Sequence, residues 1–249
     1  MGKNKLKKFA EMETLDCVFQ YPFAVLKEQG GCPLRGHWNR DYFHNDNPIV
    51  VELGCGKGEY AVGLASTTPD KNFIGIDIKG ARMWTGAKRV RDLNLGNCAF
   101  LRTGIELLES FFAPGEVAEI WITFPDPQMK KVNKRLTGTR FMELYRKVLV
   151  PGGLVHLKTD SPFLYTYTRE MLRHNGITPA MDTADLYGGP LATVVPPIKT
   201  FYEQQWLDRG LSIKFLSWSL NPEPPLTEPD IEIEPDTYRS FGRGELQGF

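Results

Sequence analysis

The sequence predicts a doubly wound α/β fold with a mostly parallel sheet. Three observations predict it. Five short apolar runs alternate with five helix-like segments at the spacing of βαβ units. The first run ends in a string of glycines where a helix has to begin. The chain, 249 residues with 41% hydrophobic content, is long enough for one sizeable core with appendages and short for two full domains.

Ile49 to Leu53 (IVVEL) is apolar along its whole length, as a strand buried on both faces must be, and GEYAVGLAST follows as a helix. FIGIDI (73–78) is the second strand and GARMWTGAKRVRDLNL the second helix, stopped by Gly96. CAFLR (98–102) with IELLESFF, and EIWITF (119–124) with RFMELYRKVL, continue the alternation. Pro151-Gly152-Gly153 punctuates the entry to GGLVHLKTD, the fifth strand, which leads to the helix PFLYTYTREMLRHNG. Candidate strands in ITPAMDT and SIKFLSWSL flank a helix-like KTFYEQQWLDRG and bring the expected sheet to seven strands. Three segments follow: an N-terminal helical, basic extension and connector (1–47), the α/β domain (48–220), and an acidic, Pro-rich, extended tail (221–249).

Charge excludes little in sum, because Lys plus Arg and Asp plus Glu both total 30. Its sorting is informative. The start, KNKLKK, is basic, and Lys130 to Lys147 holds Lys130, Lys131, Lys134, Arg135, Arg140, Arg146 and Lys147 against the single acid Glu143. The tail carries Glu223, Glu228, Asp230, Glu232, Glu234 and Asp236 with no base between them. Such blocks either present a basic face to a polyanion or are solvated surface. Cys17, Cys32, Cys55 and Cys98 have neither CxxC spacing nor paired histidines nearby, so neither a metal site nor a disulfide framework is expected. No apolar run reaches membrane-spanning length, and a reduced, cytoplasmic setting is the expectation.

VELGCGKG sets Gly54, Gly56 and Gly58 at the strand-to-helix turn, where backbone amides approach a ligand. A dinucleotide fingerprint needs a third glycine at position 59, which is Glu59, so a nicotinamide oxidoreductase is disfavoured. Glu52 at the strand end favours a cationic ligand over a pyrophosphate. Asp77, 19 residues past Gly58 at the tip of the second strand, is placed to accept from ribose hydroxyls. Together they suggest S-adenosylmethionine. Asp126 lies between Pro125 and Pro127 after the fourth strand, next to the first, and is expected as a stiff, partly desolvated carboxylate facing the cofactor's reactive end.

VELGCGKGEY, FIGIDI, FPDP with KK and KR after it, LKTD, the late KTFYE and the upstream GHWNRDYFHNDNPI together resemble the bacterial tRNA (guanine-N7-)-methyltransferase family, from about Gly36 to Leu220. The resemblance implies a Rossmann-like class I methyltransferase fold and an enzyme acting on tRNA, forming 7-methylguanosine at position 46 of the variable loop. It implies donor contacts from Glu52, Asp77, the Thr103–Gly104 region and Asp126, and substrate contacts from Lys130, Asp160 and Thr200-Phe201-Tyr202-Glu203. Two positions depart from the family pattern: Gln128 stands for a Trp after FPDP, and Thr103 for an acid after the third strand. Asp160 and Glu203 suit the N1–H and N2–H₂ donors of a guanine edge, with helix capping or plain surface as the competing reading; Thr200 with Glu203 has capping-box spacing. The lysine run, with Lys3 to Lys8 as a further clamp, is expected to grip phosphates. The alternatives are a methyltransferase of another substrate and a non-catalytic RNA-binding protein on the same fold. Monomer and homodimer are both compatible with the sequence.

Overall fold

The computed structural model describes residues 3–220 and 223–239. In chain order the regular elements are α1 (Lys3–Met12), β1 (Val18–Phe19), α2 (Phe23–Gln29), β2 (Ile49–Leu53), α3 (Glu59–Thr67), β3 (Asn72–Ile76), α4 (Gly80–Asp92), β4 (Cys98–Leu101), α5 (Leu108–Phe111), β5 (Val117–Thr123), α6 (Thr139–Val148), β6 (Leu149–Thr159), α7 (Pro162–His174), β7 (Met181–Thr183), α8 (Phe201–Asp208) and β8 (Lys214–Ser219). The sheet order is β1-β4-β3-β2-β5-β6-β8-β7. The pairings from β1 through β6 are parallel, and β8 and β7 close the sheet antiparallel. Among the described residues this makes eight strands where the sequence predicts seven. The extra one is β1, two residues long, too short to carry any alternation of its own; it exists because β4 offers it a paired edge.

The alternation seen in the sequence sets the layers. Every residue of β2, β3 and β4 is buried, as parallel strands covered by helices on both faces require. The chain runs outward from β2 through β3 to β4, then returns to place β5 on the other side of β2. That reversal is the topological switch point, and it opens a crevice at the carboxyl ends of β2 and β5.

The N-terminal segment is less detached than its composition predicts. Trp38 is fully buried, donates its indole N–H to the Phe111 carbonyl at 2.9 Å, and meets Phe19 edge to face at 5.0 Å. Of the expected Lys3–Lys8 clamp, Lys8 lies over the Trp84 ring at 4.4 Å and Lys7 is exposed, while Lys3 and Lys5 fall outside the described side chains. The tail also returns to the body. Glu228 accepts from the Thr139 N–H and hydroxyl and from the Tyr167 hydroxyl, and the Leu226 N–H donates to Glu143. A carboxylate at the start of α6 satisfies a helix-end N–H and complements the helix dipole.

Candidate active site

Three loops at the carboxyl edge of the sheet meet at the switch point: Gly54–Gly58 after β2, Asp77–Lys79 after β3, and Phe124–Lys131 after β5. The first is held by its own backbone. Gly54 and Cys55 N–H both donate to the Ile76 carbonyl, at 2.8 and 2.9 Å, and Gly58 N–H to Cys55 at 2.7 Å. Gly54 has φ +74°, and a Cβ there would meet no atom within 4 Å, so this glycine leaves open space over the crevice. Gly58, at φ +70°, answers a different need, because a Cβ there would sit 2.4 Å from the buried Phe100 ring.

Asp77 is half-buried and ties two loops together, accepting from Gly56 N–H at 2.9 Å and Lys79 N–H at 2.7 Å. Each carboxylate oxygen has a second lone pair for a hydroxyl donor. Beside it Ile78 is 68% exposed, an apolar surface at the rim that the sequence reading missed. Only its position right after the strand-end acid signalled it. Thr103 is buried and Gly104 half-buried at the end of β4, next in line along the same edge. An open glycine loop, an acid suited to ribose hydroxyls and a neighbouring apolar face make a donor set that fits an adenosine-bearing cofactor.

Glu52 departs from its expected role as a ligand-facing acid. It is buried, accepting from Ala61 N–H at 3.0 Å and from the Thr123 hydroxyl at 2.7 Å, so it fastens the start of α3 to the end of β5. Burial, with Asp77 and Glu59 nearby, pushes its carboxyl up to about 7. Its folded value lies above the unfolded one, so the contribution to stability is greatest at low pH and is lost as pH rises from about 4.5 to about 7. Glu52→Gln should therefore match the wild type in thermal unfolding near pH 4 and exceed it at pH 8, by at most about 3 kcal/mol. Equal melting curves at pH 8 would show that the ionised form is not strained.

Asp126 also differs from expectation. It is exposed rather than partly desolvated, and its Oδ1 accepts from Gln128 N–H at 3.0 Å. The stiffness expected from the two prolines is reinforced from elsewhere: Arg135 donates to the Gln128 and Met129 carbonyls at 3.1 and 2.7 Å. Phe124 and Gln128 both hold positive φ, 48° each, a conformation that side chains other than glycine adopt only under constraint. Arg135 is thereby removed from the basic rim, being buried over Phe163 and Tyr167, and Arg146 is taken up by Glu143 and the Pro224 carbonyl. Lys130, Lys131, Lys134 and Arg140 remain exposed.

The residues expected to meet a guanine edge are mostly enclosed. Glu203 is fully buried, pairing with Lys158 Nζ at 2.8 Å and accepting from the Tyr187 hydroxyl at 2.5 Å. With Thr200 it forms the capping box of α8. Burial lowers the Lys158 pKa against the raising effect of Glu203. Asp160 is fully buried and receives the Tyr238 hydroxyl at 2.7 Å. Phe201 and Tyr202, by contrast, are 49% and 43% exposed on the first turn of α8. That turn is joined to the glycine loop: Phe201 N–H donates to Glu59 at 3.1 Å, and Lys57 lies over the Phe201 ring at 4.4 Å. The two exposed aromatics and Asp126 thus belong to segments around the same crevice.

This arrangement is that of a methyltransferase of the doubly wound class, and solved structures share the fold. A 16S rRNA methyltransferase, KamB, superposes with a TM-score of 0.57 at 15% identity, covering 82% of this chain and 96% of that one. The 16S rRNA (adenine(1408)-N(1))-methyltransferase from Catenulisporales acidiphilia gives 0.53 at 16%, covering 76% and 94%. A family model described as "Putative methyltransferase" matches residues 46–216. The tRNA (guanine-N(7)-)-methyltransferase of Porphyromonas gingivalis is 65% identical over 235 residues, 93% of this chain and 96% of that protein. Those of Bacteroides fragilis and Bacillus subtilis are 56% and 34% identical, over 100% and 72% of this chain and 98% and 83% of theirs. The chain belongs to the tRNA (guanine-N(7)-)-methyltransferase family.

Proposed function

We propose that this chain transfers a methyl group from S-adenosylmethionine to N7 of a guanine in tRNA, at position 46 of the variable loop. The observation that carries this reading is the crevice itself, where the donor cradle of Gly54, Gly56 and Asp77 meets an exposed, rigidly mounted Asp126 at one switch point. It sits in a chain 65% identical to a tRNA (guanine-N(7)-)-methyltransferase.

The bound donor supplies a methyl carbon on a sulfonium. Guanine N7 carries an in-plane lone pair and no proton, so the N7–C bond forms as the S–C bond breaks and no base is consumed. The chain's task is alignment, which for two held reactants is worth about 7–11 kcal/mol of barrier. Asp77 and the glycine loop hold the adenosine end. Asp126, fixed by Pro125, Pro127 and Arg135, steadies the purine and favours the positive charge that develops on it. Phe201 and Tyr202 offer stacking faces, and Lys130 with its exposed neighbours meets phosphates.

Incubation with labelled S-adenosylmethionine and unmodified bulk tRNA, followed by nucleoside analysis, tests this directly. Label is expected in 7-methylguanosine and should vanish from a transcript with adenosine at position 46; label in another nucleoside refutes the reading. Asp126→Asn is expected to lower kcat by about 10- to 100-fold without altering its pH profile, because positioning and not proton transfer is lost. Complete inactivity with undisturbed tRNA and donor binding would contradict that role. Lys130→Ala should weaken tRNA binding and reduce the slope of log K against log salt by about one unit. An unchanged slope in a salt titration would remove this phosphate contact.

A further inference from the structure

The tail does more than run past the body: it ends its described course on a residue of the site. Asp236 is its anchor. Although only 4% exposed, its carboxylate accepts from the Ser161 hydroxyl at 2.5 Å and from Phe163 N–H at 3.0 Å, and its own N–H reaches the Met129 sulfur at 3.2 Å. It therefore sits on the N-terminus of α7, which begins directly after Asp160, and touches the loop that carries Asp126. Two residues further on, the Tyr238 hydroxyl donates to Asp160 Oδ2 at 2.7 Å, and the Tyr238 ring meets Trp206 of α8 edge to face at 5.4 Å. Asp160 stands at the carboxyl end of β6, beside β5, and its side chain is fully buried with Tyr238 in place.

We propose that Tyr238 is a gate, its hydroxyl occupying on Asp160 the acceptor position that a guanine N–H takes when tRNA binds. The inference rests on the family reading of this chain, in which the resemblance implies a substrate contact for Asp160. A buried carboxylate has to be hydrogen-bonded in either state, and the phenol and the base edge offer it the same kind of donor. Opening is local. Rotation about residue 237 lifts Tyr238 off Asp160 and Trp206 while Asp236 keeps capping α7. The tRNA that captures Asp160 shifts the population toward the open tail, and the closed tail lowers the apparent affinity for tRNA by the fraction of molecules it blocks.

The test compares wild type, Tyr238→Phe, Asp160→Asn and the double variant in full-length chain, with KM for tRNA and kcat read separately and melting temperatures as a fold control. Phenylalanine keeps the ring on Trp206 and removes the donor. Tyr238→Phe is expected to lower KM for tRNA by about tenfold with kcat held, the factor one hydrogen bond to a charged group commands. That gain should disappear in the Asp160→Asn background. An unchanged KM overturns the gate. A raised KM also overturns it and makes Tyr238 a positioning residue for Asp160. Hydrogen exchange of the amides of residues 236–239 on adding tRNA gives a reading independent of turnover. Faster exchange at 237–239 with Asp236 still protected supports the gate; unchanged or slower exchange overturns it. A wild-type chain that makes no 7-methylguanosine would refute the proposed function while leaving this exchange result to decide the gate.

Discussion

Glu203→Gln is expected to lower the melting temperature by on the order of 10 °C, through about 3–5 kcal/mol of lost stability. Lys158 is fully buried, and its ammonium is met by Glu203, the Tyr187 hydroxyl at 3.2 Å and the Ile198 carbonyl at 3.1 Å. Removing the charge of Glu203 leaves an ammonium in the interior with only neutral partners, a far greater cost than the pair's net contribution. The deficit carries a pH signature. Burial already holds the Lys158 pKa below its ordinary value, and loss of Glu203 drives it lower still. The unfolded variant then binds the lysine proton more tightly than the folded one, so its stability rises with pH between the lowered value and about 10.5. Replacing both partners by apolar residues, Lys158→Met with Glu203→Leu, should restore most of the melting temperature. Thermal melts at pH 7 and pH 9.5 decide the matter, and a single variant that melts with the wild type would show that the pair is not desolvated.

Gly58→Ala is expected to cost about 3 kcal/mol or more, in contrast to about 1 kcal/mol for Gly54→Ala, although both glycines sit in one loop at nearly the same φ. The difference lies in what surrounds them. Around Phe100, fully buried on β4, three glycines close in: a Cβ on Gly58, Gly75 or Gly86 would stand 2.4, 2.8 or 2.6 Å from its ring. The methyl of Gly58→Ala has to displace an aromatic ring in a packed core and also hold an L residue in the left-handed region. At Gly54 only the backbone cost applies, and the methyl projects into the crevice instead. Melting curves and calorimetric titration with S-adenosylmethionine separate the two: Gly58→Ala should lose stability, and Gly54→Ala should fold well while binding the donor more weakly. Equal melting temperatures for the two variants would contradict the packing argument.

That contrast marks how far the sequence could be read. The spacing of VELGCGKG announced a ligand loop, but nothing in it distinguished a glycine that faces a ligand from one that faces Phe100, because the partner lies on a strand more than 40 residues away. Asp77 at a strand tip was readable, since strand ends and the switch point follow from the βαβ order alone. Ile78 is not legible in this way, because an apolar residue at a strand end looks like core until its exposure is known. Residue type and position suit Glu52 to a cationic ligand and leave Asp160 and Glu203 open between a guanine edge and helix capping; each is enclosed and engaged by Thr123, Tyr238 or Lys158. Residue type and strand register place an acid at an edge without saying whether its lone pairs point out or in.

Local pattern was enough for the class of fold, the order of its central strands, the position of the crevice and the capping box at Thr200, because each depends on periodicity, strand ends or contacts three residues apart. Tertiary structure alone decided that β1 joins the sheet, that Arg135 braces the Asp126 loop instead of gripping phosphate, and that the acidic tail returns to set Tyr238 on Asp160. The Tyr238–Asp160 contact joins residues 78 apart in sequence and Arg135 is a charge whose partners are backbone carbonyls, and such pairings are fixed by packing and desolvation, which no short stretch of sequence records.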